Sequence, residues 1–126
     1  MEYGEWLGSR KGLYVLYTPG YDQISTPALF LIGAQVALFT TGRGTGIGCA
    51  LGPVVKIGSN TLLWQNNDDI DINAGTILDR SETIKDAGRR IFEETIAVAS
   101  GHKFVRAEES GIHTEFKVWE SLWPAL

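Results

Sequence analysis

The sequence predicts an α/β domain, a mainly parallel β-sheet flanked by helices. Two observations predict it. Apolar, β-branched runs alternate with helical patterns, the order that builds parallel sheets from strand–crossover–strand units. The run 36–40 is apolar on both faces, as strands covered from both sides are.

The elements follow in chain order. Residues 1–11 are polar around Trp6 and carry no clear period. Residues 13–17, Leu-Tyr-Val-Leu-Tyr, lie between Gly12 and Thr18-Pro19-Gly20 and predict a buried strand. Ser25 or Thr26 can cap a short helix with Pro27 in its first turn, where the missing N–H is no loss. That helix runs through Phe30 and stops near Gly33. Strand 36–40 leads into a glycine-rich stretch over 42–48. Pro53 opens a strand over 54–57, Gly58-Ser59-Asn60 turns the chain, and a short helix covers 61–65. Residues 69–73 alternate polar and apolar, as a half-exposed or edge strand does. The strongest helix is 82–99, with Ile84, Ala87, Gly88, Ile91, Phe92, Ile96 and Ala99 at spacings of three and four. Ser81 is its expected N-cap, Glu82 suits the positive end, and Gly101 supplies the stop. Residues 115–119 alternate again and predict a last strand. One connection is tight. Ten residues separate Gly42 from Pro53, near the minimum of about a dozen for a parallel crossover. Either a helical turn sits at Cys49-Ala50-Leu51 or one strand pair is antiparallel.

Composition narrows the function. The 126 residues match one domain in length. Eleven basic against fifteen acidic residues give a net charge of -4, which disfavours general nucleic-acid binding. No apolar run is long enough for a membrane span, and the start lacks a signal-peptide pattern. One cysteine, Cys49, excludes an internal disulfide framework and fits a reducing compartment, so the cytoplasm is expected. With only two histidines, His102 and His113, a Cys/His zinc cage is improbable. Glycine is the exception: 15 residues in all, four of them within 42–48.

That glycine stretch follows the carboxyl end of a buried strand, the edge where open α/β sheets bind ligands. Glycines let backbone N–H groups approach an anion, Thr40, Thr41 and Thr45 supply hydroxyls, and Arg43 offers a two-point fork for an acid group. The competing reading is a tight turn in which glycines only supply positive φ. The dinucleotide fingerprint is not met: Gly44 and Gly46 are followed by Cys49, and Gly46 and Gly48 by Leu51. The layering is therefore Rossmann-like without a dinucleotide fingerprint. Asp69-x-Asp71-x-Asn73 opens like a calcium loop but continues with Ala74 where glycine is required and Arg80 where glutamate is. Lys56, inside an apolar strand, is either at an exposed edge or aimed at an anionic group.

Beyond spacing, specific residues carry a resemblance. Phe39-Thr40-Thr41-Gly42-Arg43-Gly44-Thr45, Pro53-Val54-Val55-Lys56-Ile57 with Asn60, and Ile70-Asp71-Ile72-Asn73-Ala74-Gly75 resemble the C-terminal part of the altronate and galactarate dehydratase family. Tyr3-Gly4-Glu5, Gly12-Leu13, Pro19-Gly20-Tyr21-Asp22, Ser25, Ala99-Ser100-Gly101 and Glu108 fall into the same pattern. The sulfolactate sulfo-lyase large subunit is similar. The chain departs from that pattern at Tyr17, Pro27, Leu31 and Ile32.

The resemblance implies β-elimination of water from a hexonate or hexarate. It implies that residues 1–126 are the C-terminal part of a longer enzyme, whose N-terminal and central regions, or a separate subunit, are the partners. It also implies a divalent, iron-like metal in the full-length enzyme, with no cofactor in this part. Thr40, Thr41, Arg43, Gly44, Thr45, Lys56 and Asn60 are then the expected substrate-binding residues, clamping the acid group, while the catalytic base stays unassigned. The isolated chain is expected to be inactive. Two other readings stay open: a sulfolactate sulfo-lyase-like subunit, and a non-catalytic anion-binding or assembly module. Four tryptophans exceed what this core needs, so Trp6, Tyr17, Tyr21, Trp119 and Trp123 are expected to present surface to a partner, with homo-oligomers as a consequence.

Overall fold

Strand β2, Val54–Gly58, is buried at all five positions and lies at the centre of the sheet in this computed structural model. The structure describes residues 1–113, Lys117 and Trp119. Around β2 the order is α1 (Asp22–Leu31), β1 (Ala37–Thr41), β2, α2 (Thr61–Gln65), β3 (Ile72–Asn73), a 3-10 turn at Gly75–Ile77, α3 (Ile84–Ala99) and α4 (Arg106–Glu109). The sheet order is β1-β2-β3 with both pairs parallel. Thr41 pairs with Gly58, and Gly58 with Asn73, so the three strands end level with one another.

Alternation along β2 divides the core in two. Val55 and Ile57 pack with Ile72, Val98, Val105 and Ala107, the side covered by α3 and α4. Val54 packs with Phe30, Ala37, Ile47 and Cys49, the side covered by α1 and the glycine loop. This is the predicted α/β layering. The crossover from β1 to β2 is parallel and uses a turn at 50–52, where the Gly52 N–H donates to the Cys49 carbonyl. Among the described residues no helix is long and apolar enough to cross a membrane.

Several elements differ from expectation. Residues 13–17 are not a strand; Leu13 is 97% exposed and Val15 81%. Tyr17 N–H donates to the Met1 carbonyl, and the Met1 ammonium to the Val15 carbonyl, but among the described residues no sheet strand runs alongside. Apolar composition alone does not make a strand; its backbone groups need a partner strand. Helix α1 starts at Asp22 with Tyr21 as N-cap, so Ser25 and Thr26 are inside it and Pro27 lies in its interior. Ser25 Oγ donates to the Tyr21 carbonyl instead of capping. Among the described residues strand β1 is an edge strand, and with Leu38 48% exposed it is covered on one face only. Only Ile72–Asn73 of the run 69–73 pairs as a strand, at the other edge.

Helix α3 is capped by Thr83, whose Oγ1 accepts the Asp86 N–H, two residues later than expected. Ser81 and Glu82 are engaged elsewhere: Ser81 Oγ donates to the Thr76 carbonyl, and Glu82 accepts from Arg90. The stop at Gly101 is as expected: its φ is +69°, its N–H reaches the Val98 carbonyl, and the His102 N–H reaches that of Ala97. Of the expected apolar stripe, Ala87 is buried and Ile91 packs on the core, but Ile84, Phe92 and Ile96 face outward. Helix α4 carried no sequence signal. The predicted strand 115–119 lies outside the described residues apart from Lys117 and Trp119, as does Trp123. Trp6, Tyr17 and Tyr21 are exposed as expected. Trp119 is half-buried, its ring 5.6 Å from those of Tyr3 and Tyr17.

Candidate functional site

The level strand ends place three segments side by side: the glycine loop after Thr41, the Asn60 turn after Gly58, and Gly75–Ile77 after Asn73. Adjacent strands are about 5 Å apart, so about 10 Å separates the outer two.

The glycine loop is shaped by the residues that were expected to bind. Thr41 Oγ1 accepts the Gly44 N–H at 3.0 Å, and Thr45 Oγ1 accepts the Ile47 N–H at 3.3 Å. Gly44 has φ +90°, so glycine is required there by conformation; a Cβ would also come within 2.7 Å of the Asn67 side-chain nitrogen, which can swing aside. Asn60 holds the loop from the neighbouring strand end. Its Oδ1 caps α2 by accepting the Leu63 N–H at 2.7 Å, while its Nδ2 donates to the Gly42 carbonyl at 3.1 Å. Thr40 and Arg43 are exposed. A cleft of about 270 Å³ opens between Thr45, Gly46 and Ile47 of the loop and Asp22 and Gln23 of α1.

Lys56 is wholly buried, which excludes the exposed-edge reading. By alternation it shares the face of Val54, beneath α1 and the loop. Its Nζ lies 3.5 Å from the Thr45 carbonyl. Burial pushes its pKa below the ordinary lysine value, and the charges of Asp69 and Asp71 oppose that shift. The backbone of Lys56 is pinned as well: its N–H donates to Asp71 Oδ2 at 2.7 Å and its carbonyl accepts the Asp71 N–H. Asp71 Oδ1 in turn accepts the N–H of Arg106, the first residue of α4. The acid that looked like part of a calcium loop therefore fastens β2 and α4.

A second polar cluster was missed in the sequence. Arg90 grips Glu82 with two bonds, Nε to Oε1 at 3.2 Å and Nη2 to Oε2 at 2.6 Å, and Nη2 also reaches the Asn73 carbonyl at 2.7 Å. Thr76 Oγ1 donates to Glu82 Oε2. The Arg90 and Thr76 bonds hold the Glu82 carboxyl below its ordinary pKa, and the hydrogen bond to Glu82 raises that of Arg90. These residues, with Trp64 and Asp71, line a cleft of about 500 Å³. The helix start at Ile84 lies between Glu82 and Arg90, so no helical spacing joins them and periodicity could not reveal the pair. Among the described residues, no three His, Cys, Asp or Glu side chains gather to hold a metal ion. The described residues thus do not form a donor set for the divalent metal that the resemblance implies.

Comparison with known proteins gives a consistent result. Residues 1–123 match the family described as D-galactarate/altronate dehydratase, C-terminal. The galactarate dehydratase (L-threo-forming) of Escherichia coli (strain K12) is 37% identical over 112 residues, covering 88% of this chain and 21% of that protein. The altronate dehydratase of Bacillus subtilis (strain 168) is 41% identical over 102 residues, covering 80% of this chain and 20% of that protein. The altronate dehydratase of Escherichia coli (strain K12) is 40% identical over 79 residues, covering 62% and 16%. The chain spans about a fifth of the length of the first two relatives.

Proposed function

The chain belongs to the D-galactarate/altronate dehydratase C-terminal family, and from that premise we propose that it forms the acid-clamping part of a longer sugar-acid dehydratase. The reaction is β-elimination of water from a hexonate or hexarate. A base removes the proton beside the carboxylate, the electron pair expels the hydroxyl on the next carbon, and an acid protonates it to water. The resulting enol becomes a 2-keto acid. Charge builds on the carboxylate as the proton leaves, so cations and N–H donors aimed at it lower the barrier.

One observation carries this reading. The loop that joins β1 to β2 presents Arg43 to solvent at the strand ends, while its Thr45 carbonyl is held from below by the Lys56 ammonium. Arg43 supplies the two-point grip on the acid group. Thr41, Thr45 and Asn60 hold the loop in its shape, and Lys56 adds positive charge under it. The base, the proton donor and the divalent metal come from other regions of the longer enzyme or from a partner subunit. A cytoplasmic setting goes with this reading, since Cys49 is a free, buried thiol.

The test is Arg43→Lys in a full-length enzyme carrying this domain, assayed on hexonates and hexarates. We expect kcat/KM to fall at least about tenfold, because lysine keeps the charge and loses the fork. Unchanged kinetics would show that Arg43 does not touch the substrate.

A further inference from the structure

The outer face of α3 carries a row with no function in the clamp: Ile84, Gly88, Phe92 and Ile96, each four residues from the next. Ile84 is 76% exposed, Phe92 66% and Ile96 49%, and among the described residues a Cβ at Gly88 would meet nothing within 4 Å. A second row, Lys85, Arg89 and Glu93, runs beside it, and all three are exposed. None of these three has an ion-pair partner among the described residues. Two basic residues followed by an acid make a row whose two ends carry opposite charge.

We infer that this face of α3 is a self-association surface, occupied by α3 of a second copy of the chain in an antiparallel, two-fold arrangement. The charge pattern selects that occupant. A two-fold axis across antiparallel helices brings the same border of each helix together and reverses its direction. Centred between Gly88 and Phe92, it sets Phe92 of each copy against the space over Gly88 of the other, and Ile84 against Ile96. The charged rows then run opposite ways: Glu93 of the second copy falls between Lys85 and Arg89, and the two Arg89 side chains meet beside the axis, each with the other copy's Glu93 on its far side. The row of residues four apart is the ridge that helices use to pack against one another. A parallel pair would juxtapose opposite borders and leave these charges unmatched. This inference is independent of the lyase reading.

The test is sedimentation of the 126-residue chain over a range of concentrations, with circular dichroism to verify folding of each variant. Every altered side chain is exposed, so the fold should persist. The unaltered chain should form dimers. Phe92→Glu should raise the dimer dissociation constant at least about tenfold, as loss of a central aromatic anchor does. Glu93→Lys, which makes the row wholly basic, should weaken the dimer by about threefold to tenfold. The triple reversal Lys85→Glu, Arg89→Glu and Glu93→Lys should restore it, because the two-fold pairing is kept with signs exchanged. A chain that stays monomeric, a dimer indifferent to Phe92→Glu, or a triple reversal no better than Glu93→Lys would each overturn the inference. The first result would assign the face to other regions of a longer protein.

Discussion

The Asp71 carboxylate accepts the backbone N–H of Lys56 at 2.7 Å, so the strand that carries a buried ammonium is fixed at its backbone by the acid that immediately precedes the next strand. The other oxygen of Asp71 takes the Arg106 N–H at 2.8 Å. Asp71→Ala leaves both N–H groups without these partners. It should cost about 2–4 kcal/mol of stability in urea unfolding, since bonds to a charged group each contribute roughly 1.5–3 kcal/mol. A loss under about 0.5 kcal/mol, the usual size of a surface change, would mean that water replaces the carboxylate without penalty.

Lys56 joins a stability prediction to the proposed clamp. Its folded pKa lies below the unfolded value of 10.5 because burial disfavours the charge. The unfolded chain therefore binds more protons between the two values, and stability rises with pH through that window. Below the folded pKa the penalty is present in full. Lys56→Met should raise stability at neutral pH and remove this alkaline rise. The same change in a full-length enzyme should lower turnover. Calorimetry from neutral pH to about pH 11 checks the first half, and steady-state kinetics the second.

Glu82 has the opposite sign. Arg90 and Thr76 hold its folded pKa below the ordinary 4.5, so its contribution is present above that value and is lost as pH falls through the folded pKa. Glu82→Gln should flatten the acid limb of the stability curve below pH 4.5 while leaving the alkaline limb unchanged. Unfolding midpoints from pH 3 to 7 decide it. An acid limb as steep as before would show that other carboxylates govern it.

Gly75 sits where β3 meets α2. A Cβ there would lie 2.1 Å from the Thr61 backbone nitrogen and 2.5 Å from the Asn60 Cα, both main-chain atoms that cannot swing away. Gly75→Ala should destabilise by about 3 kcal/mol, the upper part of the overpacking range. It should also disturb the Asn60 bond to the glycine loop. A variant as stable as the parent in urea would show that the strand end can shift.

The 126-residue chain alone should produce no 2-keto acid from a hexonate or hexarate. Turnover by a preparation free of other dehydratases would show that the base and the proton donor lie within this chain.

What the sequence determined by itself is what local pattern controls. Residues 54–57 and 61–65 were legible because a continuous apolar run and a capped short helix need little beyond their own residues. The Gly101 stop was legible because only glycine takes that φ cheaply. The Phe39-to-Thr45 run and the glycine loop were legible because their composition is rare. Tertiary structure decided the rest. Residues 13–17 have strand composition, but among the described residues no strand of the sheet pairs with them, and two of their backbone groups bond to Met1 instead. Helix α3 has two adjacent apolar rows, and periodicity could not say which one faces the sheet; packing put Ala87 and Val98 inward and left Phe92 out. Glu82 and Arg90 meet only because the chain turns into a helix between them. Lys56 is buried because the glycine loop closes over its strand, a contact between residues 11 positions apart that no local pattern encodes.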